Sequence, residues 1–334
     1  MTSNAQPLRR WQAEARELWL GNGRKGIIGA VTGGGKTVFA LACIREAEPE
    51  AALIIVPTLA LLDQWWEEAA AYFRLNLDDI NMLTSRSRVK RGMINIGVIN
   101  TVAKFEKHQL HPRMMIVIDE CHKAASEEFS AVLGFPASAS LGLSATPERP
   151  YDDWLRERLI PSLGSVLYNY TYEDALRDGV IVPFELRNIV FDLEEDREKE
   201  YERLTRTIAR RHQQYGADAP ETIAAFLQRA RVLNRSPRRV EVALRLIMAH
   251  RGQRTLVFHE DIESCGAIGD VLQTLQVPAK VYHSDLSVRE RAEALRSYRK
   301  GEAQVLITCR ALDEGFNVPE TAVGGDVPGR GVAG

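Results

Sequence analysis

The sequence predicts an α/β protein of two lobes, each a parallel sheet with crossover helices. Three observations predict it. Apolar runs alternate with amphipathic stretches over residues 25–144, a glycine-rich turn stands between one such run and a helical pattern, and the alternation resumes from Arg238 after a highly charged interval. A chain of 334 residues, 45% hydrophobic and 26% charged, has room for two cores of ordinary composition. It contains no 18-residue apolar span, and residues 1–7 lack the apolar stretch of a signal peptide, so the expectation is a cytoplasmic protein with no membrane partner.

The first strand is the apolar run ending at Val31, and Val38-Phe39-Ala40-Leu41-Ala42 opens the helix after the turn. Residues 53–56, 94–99, 115–118 and 141–143 are apolar runs, interrupted only by Asn95, as parallel strands covered on both faces are. Beyond Pro147 turn residues multiply, and residues 172–179 read as a short helix stopped by Gly179. The lobe boundary is placed in residues 180–183, giving lobes of 1–182 and 183–334. Residues 184–193 read as a strand, and about 194–235 as a charged helical insertion broken at Tyr215-Gly216-Ala217-Asp218-Ala219-Pro220. Residues 255–258, 279–282 and 304–307 supply strands of the second lobe. The tail from Gly324 is glycine-rich, a composition that tends to disorder.

The turn Ala30-Val31-Thr32-Gly33-Gly34-Gly35-Lys36-Thr37 has the makings of a phosphate loop. Glycines let consecutive N–H groups face an anion, and the following helix adds the positive end of its dipole. Lys36 would reach the β- and γ-phosphates, and the Thr37 hydroxyl would ligate Mg²⁺. The common form of the motif begins with glycine; here Ala30 holds that place. A second signal is the strand that runs into Asp119-Glu120-Cys121-His122, which sets two acids at the carboxyl edge of a sheet. Asp119 is the natural holder of Mg²⁺ and Glu120 the natural residue to polarise an attacking water. Acids after a strand are often helix caps, and a glycine turn can close a strand–helix unit without binding anything. Together the two signals favour nucleotide hydrolysis.

Cys43, Cys121, Cys265 and Cys309 lie far apart and read as reduced thiols without metal-like spacing. The net charge of −2 excludes a generally basic surface. Its distribution is uneven, however, because residues 203–254 hold 12 Arg and no Lys against Asp218, Glu221 and Glu241. Such a run either tracks a phosphate backbone or is a solvated helical face.

These motifs, with others in the same order, resemble superfamily 2 helicases and translocases over most of the chain. Leu8-Arg9-Arg10-Trp11-Gln12 resembles the Q motif, Ala30 to Thr37 motif I, and the segment from Ile54 through Thr58 to Trp65 motif Ia. Thr101 falls at motif Ib, Asp119 to His122 at motif II, and Leu143-Ser144-Ala145-Thr146-Pro147 at motif III. Thr255 to Phe258 is similar to motif IV, and Val305 to Thr308 with Leu312 to Pro319 to motif V. The wording is nearest the XPB-like and type III restriction-like branch.

The resemblance implies two RecA-like P-loop NTPase lobes that hydrolyse ATP with Mg²⁺ and move along DNA, or RNA. It implies nucleotide contacts at Gln12, which would read adenine, and at Thr32, Gly33, Gly34, Gly35, Lys36, Thr37, Asp313 and Gly315. His122, Ser144 and Thr146 would couple the nucleotide to movement. Thr58, Thr101 and Thr308 would touch nucleic-acid phosphates, although helix capping is the commoner role of a lone threonine. Motif VI, whose arginines would face the γ-phosphate, has no counterpart in the sequence. Arg330 lies in the glycine-rich tail, and Arg310 is the nearest substitute. The ending therefore reads as a truncated product whose arginine finger comes from a partner chain or a missing C-terminal segment. A duplex translocase that does not unwind, and an ATP-gated binding module with weak hydrolysis, are the alternatives; motifs Ia, III and V argue against a metabolic P-loop kinase.

Overall fold

The computed structural model describes residues 7–145, 155–183, 185–309 and 323–326. They fall into two compact units, the first ending at Pro183 and the second beginning at Glu185.

The first unit runs α1 (Arg10–Gly21), β1 (Lys25–Ala30), α2 (Lys36–Ala47), β2 (Ala52–Val56), α3 (Leu59–Phe73), β3 (Ile80–Met82), β4 (Ile94–Val98), α4 (Ile99–Val102), β5 (Met115–Ile118), β6 (Ala139–Ser144), α5 (Ile160–Leu163), β7 (Val166–Tyr170) and α6 (Tyr172–Arg177). Its seven strands are parallel, in the order β3-β4-β2-β5-β6-β1-β7. Alternate side chains of one strand enter opposite layers, as the two-residue period of a strand requires. Ile28, Ile54 and Val117 pack with Trp11, Trp19, Phe39 and Trp65, while Ile27, Leu53, Ile55 and Ile116 pack with Ile99, Val102 and Leu163 on the other face. The unbroken apolar runs in the sequence are this two-sided burial.

The second unit runs α7 (Glu195–Tyr215), α8 (Pro220–Asn234), α9 (Pro237–Ala249), β8 (Thr255–His259), α10 (Ile262–Thr274), β9 (Ala279–Tyr282), α11 (Val288–Arg299), β10 (Val305–Cys309) and β11 (Val323–Asp326), with a parallel sheet ordered β11-β8-β10-β9. Helices α7 and α8 form a hairpin that buries Leu204 and Ile208 with Thr222 and Ala225. Arginines tie it at both ends: Arg197 donates to the Val232 carbonyl at 3.3 Å and Arg211 to that of Glu221 at 2.7 Å. Glu194 caps α9, accepting from the Ser236 hydroxyl at 3.1 Å and the Arg238 amide at 3.1 Å.

Three local readings of the sequence are corrected. Residues 185–193 form no strand, and Leu186 and Val190 are 77% and 92% exposed. Strand-like composition does not supply a neighbouring backbone, and no strand among the described residues pairs with this segment. Conversely, β3 and β7 arise at sheet edges from short runs that no sequence pattern singles out. In the glycine-rich tail, Val323–Asp326 is a strand, because β8 offers a complete ladder from Thr255 to Phe258 that outweighs the poor strand propensity of Gly324 and Gly325.

Trp19 joins helix to sheet: it is fully buried, and its indole N–H donates to the Ser140 carbonyl at 2.9 Å. Trp19→Ala is expected to destabilise the first unit by about 3 to 5 kcal/mol, read as a lower midpoint in urea unfolding.

Candidate functional site

Strand β6 pairs with both β5 and β1, so the carboxyl ends of β1, β6 and β5 lie side by side. The glycine turn leaves the first, Ser144 ends the second, and Asp119 and Glu120 follow the third. Parallel neighbours thus gather residues that are more than a hundred positions apart.

The loop geometry depends on glycine at two positions. Gly35, at φ 100°, caps α2 without a side-chain hydrogen bond, so the first amides of that helix are left for another acceptor. A Cβ there would stand 2.8 Å from Gln12 Nε2, and one on Gly34 would stand 2.8 Å from the Val31 carbonyl. An uncapped helix start with a following lysine is a site built for an anion. Thr32 and Gly33 are exposed, and Thr37 is half-buried.

Lys36 is only 9% exposed, and its Nζ donates to the Ala30 carbonyl at 3.1 Å and to Glu120 Oε1 at 3.3 Å. The second oxygen of Glu120 lies 3.6 Å from His122 Nδ1, which in turn lies 3.4 Å from Ser144 Oγ. A continuous polar path therefore joins Lys36, Glu120, His122 and Ser144. Glu120 adopts a left-handed backbone at φ 47°, a conformation costly for a residue with a side chain. This turn swings its carboxylate back toward Lys36.

Asp119 is 6% exposed and accepts from the Trp65 indole N–H at 2.8 Å and from the Glu120 amide at 3.0 Å. Burial pushes its carboxyl up to about 6; the cation of Lys36 opposes the rise, Glu120 adds to it, and the two hydrogen bonds offset it in part. With the uncapped helix, the buried lysine and two acids, the residues present fit a nucleotide phosphate chain and a divalent ion, which Thr37 and Asp119 would hold. Trp65 was not foreseen in this position; nothing in the motif spacing says that its N–H faces the end of β5.

The amino-terminal helix holds the loop rather than standing open to a base. Gln12 is 3% exposed with both ends of its amide engaged: Oε1 accepts from the Arg9 amide at 2.8 Å and Nε2 donates to the Gly35 carbonyl at 2.9 Å. Arg9 and Trp11 both donate to the Gly34 carbonyl, at 2.7 and 3.2 Å. Trp11 stacks on Tyr170 with ring centroids 4.9 Å apart.

Thr58 caps α3, its hydroxyl oxygen accepting from the Leu61 amide at 3.3 Å, which leaves its own proton to donate. Thr101 lies in α4, immediately after β4, and β4 is the sheet neighbour of β2. Thr308 is corrected. It sits inside β10, which continues to Cys309, and it is fully buried, so its hydroxyl faces the interior instead of a passing phosphate. Thr146, Arg310, Asp313, Gly315 and Arg330 lie outside the described residues. In the second unit, Arg197, Arg203, Arg231 and Arg235 with Glu200, Gln228 and Val232 line a cavity of about 400 Å³ between α7 and α8. Among the described residues no group of three or more His, Cys, Asp or Glu forms a metal cluster, and no helix is long and apolar enough to cross a membrane.

Comparison with known proteins places this geometry. The family described as type III restriction enzyme, res subunit, matches residues 5–149, and the helicase conserved C-terminal domain matches residues 238–324. The DNA 3'-5' translocase XPB2 of Sulfurisphaera tokodaii is 26% identical across 95% of this chain and 73% of its own length. The DNA 3'-5' helicase XPB of Kineococcus radiotolerans is 24% identical across 96% of this chain, which spans only 54% of that protein. Among solved structures, S. cerevisiae Dbp5 bound to RNA and ADP BeF3 shares the fold at a TM-score of 0.62, with 15% identity over 96% of this chain and 74% of the other.

The raised carboxyl of Asp119 has a calculable effect on stability. Below about pH 4 the group is protonated in both folded and unfolded chains and has no effect. Between pH 4 and 6 the unfolded chain ionises first, so the folded state loses stability, and above pH 6 the full penalty of up to about 3 kcal/mol applies. Asp119→Asn should therefore gain on the parent as pH rises from 4 to 8, on top of any constant offset from the altered hydrogen bonds. Urea unfolding of both proteins across that range measures it, and a difference that does not change with pH would refute the assignment.

Proposed function

We propose that the chain, whose matches support a superfamily 2 helicase of the XPB-like and type III restriction-like kind, hydrolyses ATP to move along or unwind DNA. Nucleotide use with a divalent metal comes with the family. The observation that carries the reading in this chain is the buried Lys36–Glu120 pair beside Asp119, closed through His122 onto Ser144.

A triphosphate on the α2 amides offers Lys36 a denser negative charge than one carboxylate, so its ammonium transfers from Glu120 to the β- and γ-phosphates. Glu120, released, is then free to orient and accept a proton from the attacking water. Thr37 and Asp119 would hold Mg²⁺, which supplies neutralisation of the phosphate charge. His122 and Ser144 follow the position of the Glu120 carboxylate and carry the nucleotide state toward the end of β6.

Hydroxyls at Thr58 and Thr101, on neighbouring strand ends, are suited to one phosphate backbone, and within the second unit the arginine-lined cavity of the α7–α8 hairpin is suited to phosphate contact by itself. The relatives named as DNA enzymes favour DNA over RNA. Movement on duplex without unwinding is the second reading, favoured by the relative named as a translocase. ATPase rate with single-stranded DNA, duplex DNA and RNA, beside strand-displacement and triplex-displacement assays, separates these.

Lys36→Ala should abolish nucleotide binding and turnover together. Glu120→Gln should keep ATP binding and lose hydrolysis by at least about 100-fold, measured as phosphate release beside equilibrium binding. Parent-like hydrolysis by both variants would remove the site.

A further inference from the structure

Among the described tryptophans, Trp11, Trp19 and Trp66 all donate their indole N–H to backbone carbonyls, of Gly34, Ser140 and Leu77. Trp65 is different. Its ring is fully buried in the core between α3 and the sheet, yet its N–H donates to a side-chain carboxylate, Asp119 Oδ2, at 2.8 Å. A buried indole must find an acceptor, and an ionised one makes the stronger bond.

We propose that Trp65 is a positioning residue for the divalent cation of the nucleotide site: it fixes the rotation of the Asp119 carboxylate so that a preset lone pair faces the metal. The proposal rests on the reading of Asp119 as the residue that holds Mg²⁺. Each carboxylate oxygen of Asp119 accepts one hydrogen bond, Oδ2 from Trp65 and Oδ1 from the Glu120 amide at 3.0 Å. Two donors on opposite oxygens remove the freedom of the carboxylate to turn about its bond to Cβ, while each oxygen keeps acceptor capacity. The Glu120 amide belongs to the adjoining residue and moves with the turn. The indole is anchored elsewhere, in a helix packed on β2 and β4, and so gives the carboxylate a reference for its orientation from outside the turn. Donors that orient a metal ligand commonly alter metal affinity by 10- to 100-fold when removed.

The test uses the whole chain and a fluorescent ATP analogue, titrated with excess EDTA and then with Mg²⁺ at fixed nucleotide. Trp65→Phe keeps an aromatic ring in the core and deletes the N–H. The expected result is nucleotide affinity in EDTA within about twofold of the parent and a Mg²⁺ midpoint raised about 10-fold or more. If Trp65→Phe does not fold, as judged by its thermal transition, β-(3-benzothienyl)alanine at position 65 replaces only the N–H by sulfur and is held to the same standard. An unchanged Mg²⁺ midpoint overturns the proposal and leaves the site reading standing, as does an equal loss of affinity with and without the metal. A parent that binds no nucleotide in either condition overturns the site reading, and the role of Trp65 with it.

Discussion

One cation and two acids lie almost wholly inside the first unit, and the rest of that unit is arranged around keeping them there. Removing a single charge from water costs several kcal/mol unless partners replace the lost hydration. Lys36 is offset by Glu120 and the Ala30 carbonyl, and Asp119 by an indole and an amide. This requires that β5, β6 and β1 be immediate neighbours with their carboxyl ends on one edge of the sheet. It also requires a backbone turn at Glu120 that few residues with a side chain adopt.

The supports are distributed by function. Helix α1 holds the glycine turn by its carbonyls, through Arg9, Trp11 and Gln12, and leaves the amides of α2 facing outward. Helix α3 carries Thr58 at its first turn and Trp65 two turns later, so one rigid element bears both a surface hydroxyl and the donor to Asp119. His122 and Ser144 extend the buried pair toward the edge of β6. These contacts, 3.3 to 3.6 Å long, join the start of α2 to the ends of β5 and β6.

In the second unit the arginines divide into two kinds. Arg203 and Arg206 pair with acids one turn away on the same helix and act as solvated partners. Arg197 and Arg211 span the hairpin through backbone carbonyls and hold α7 against α8. The excess of positive charge read from the sequence is thus partly structural.

By itself the sequence determined the α/β class and the central strands, because strands buried on both faces leave apolar runs, and it singled out Lys36, Asp119 and Glu120 as candidates, because phosphate chemistry restricts the residue types at fixed spacings. It also marked a charged helical insertion broken at residues 215–220, which is where α7 ends and α8 begins. Tertiary structure alone decided whether residues 185–193 and Val323–Asp326 are strands, because a strand exists only where a neighbouring backbone completes its hydrogen bonds. It alone decided that Gln12 closes on Gly35, that Thr308 is enclosed and that Trp65 meets Asp119. Each of these depends on which residues distant in the chain the fold brings together, as with Gln12 and Gly35 at 2.9 Å and Trp65 and Asp119 at 2.8 Å, and no local pattern encodes that proximity.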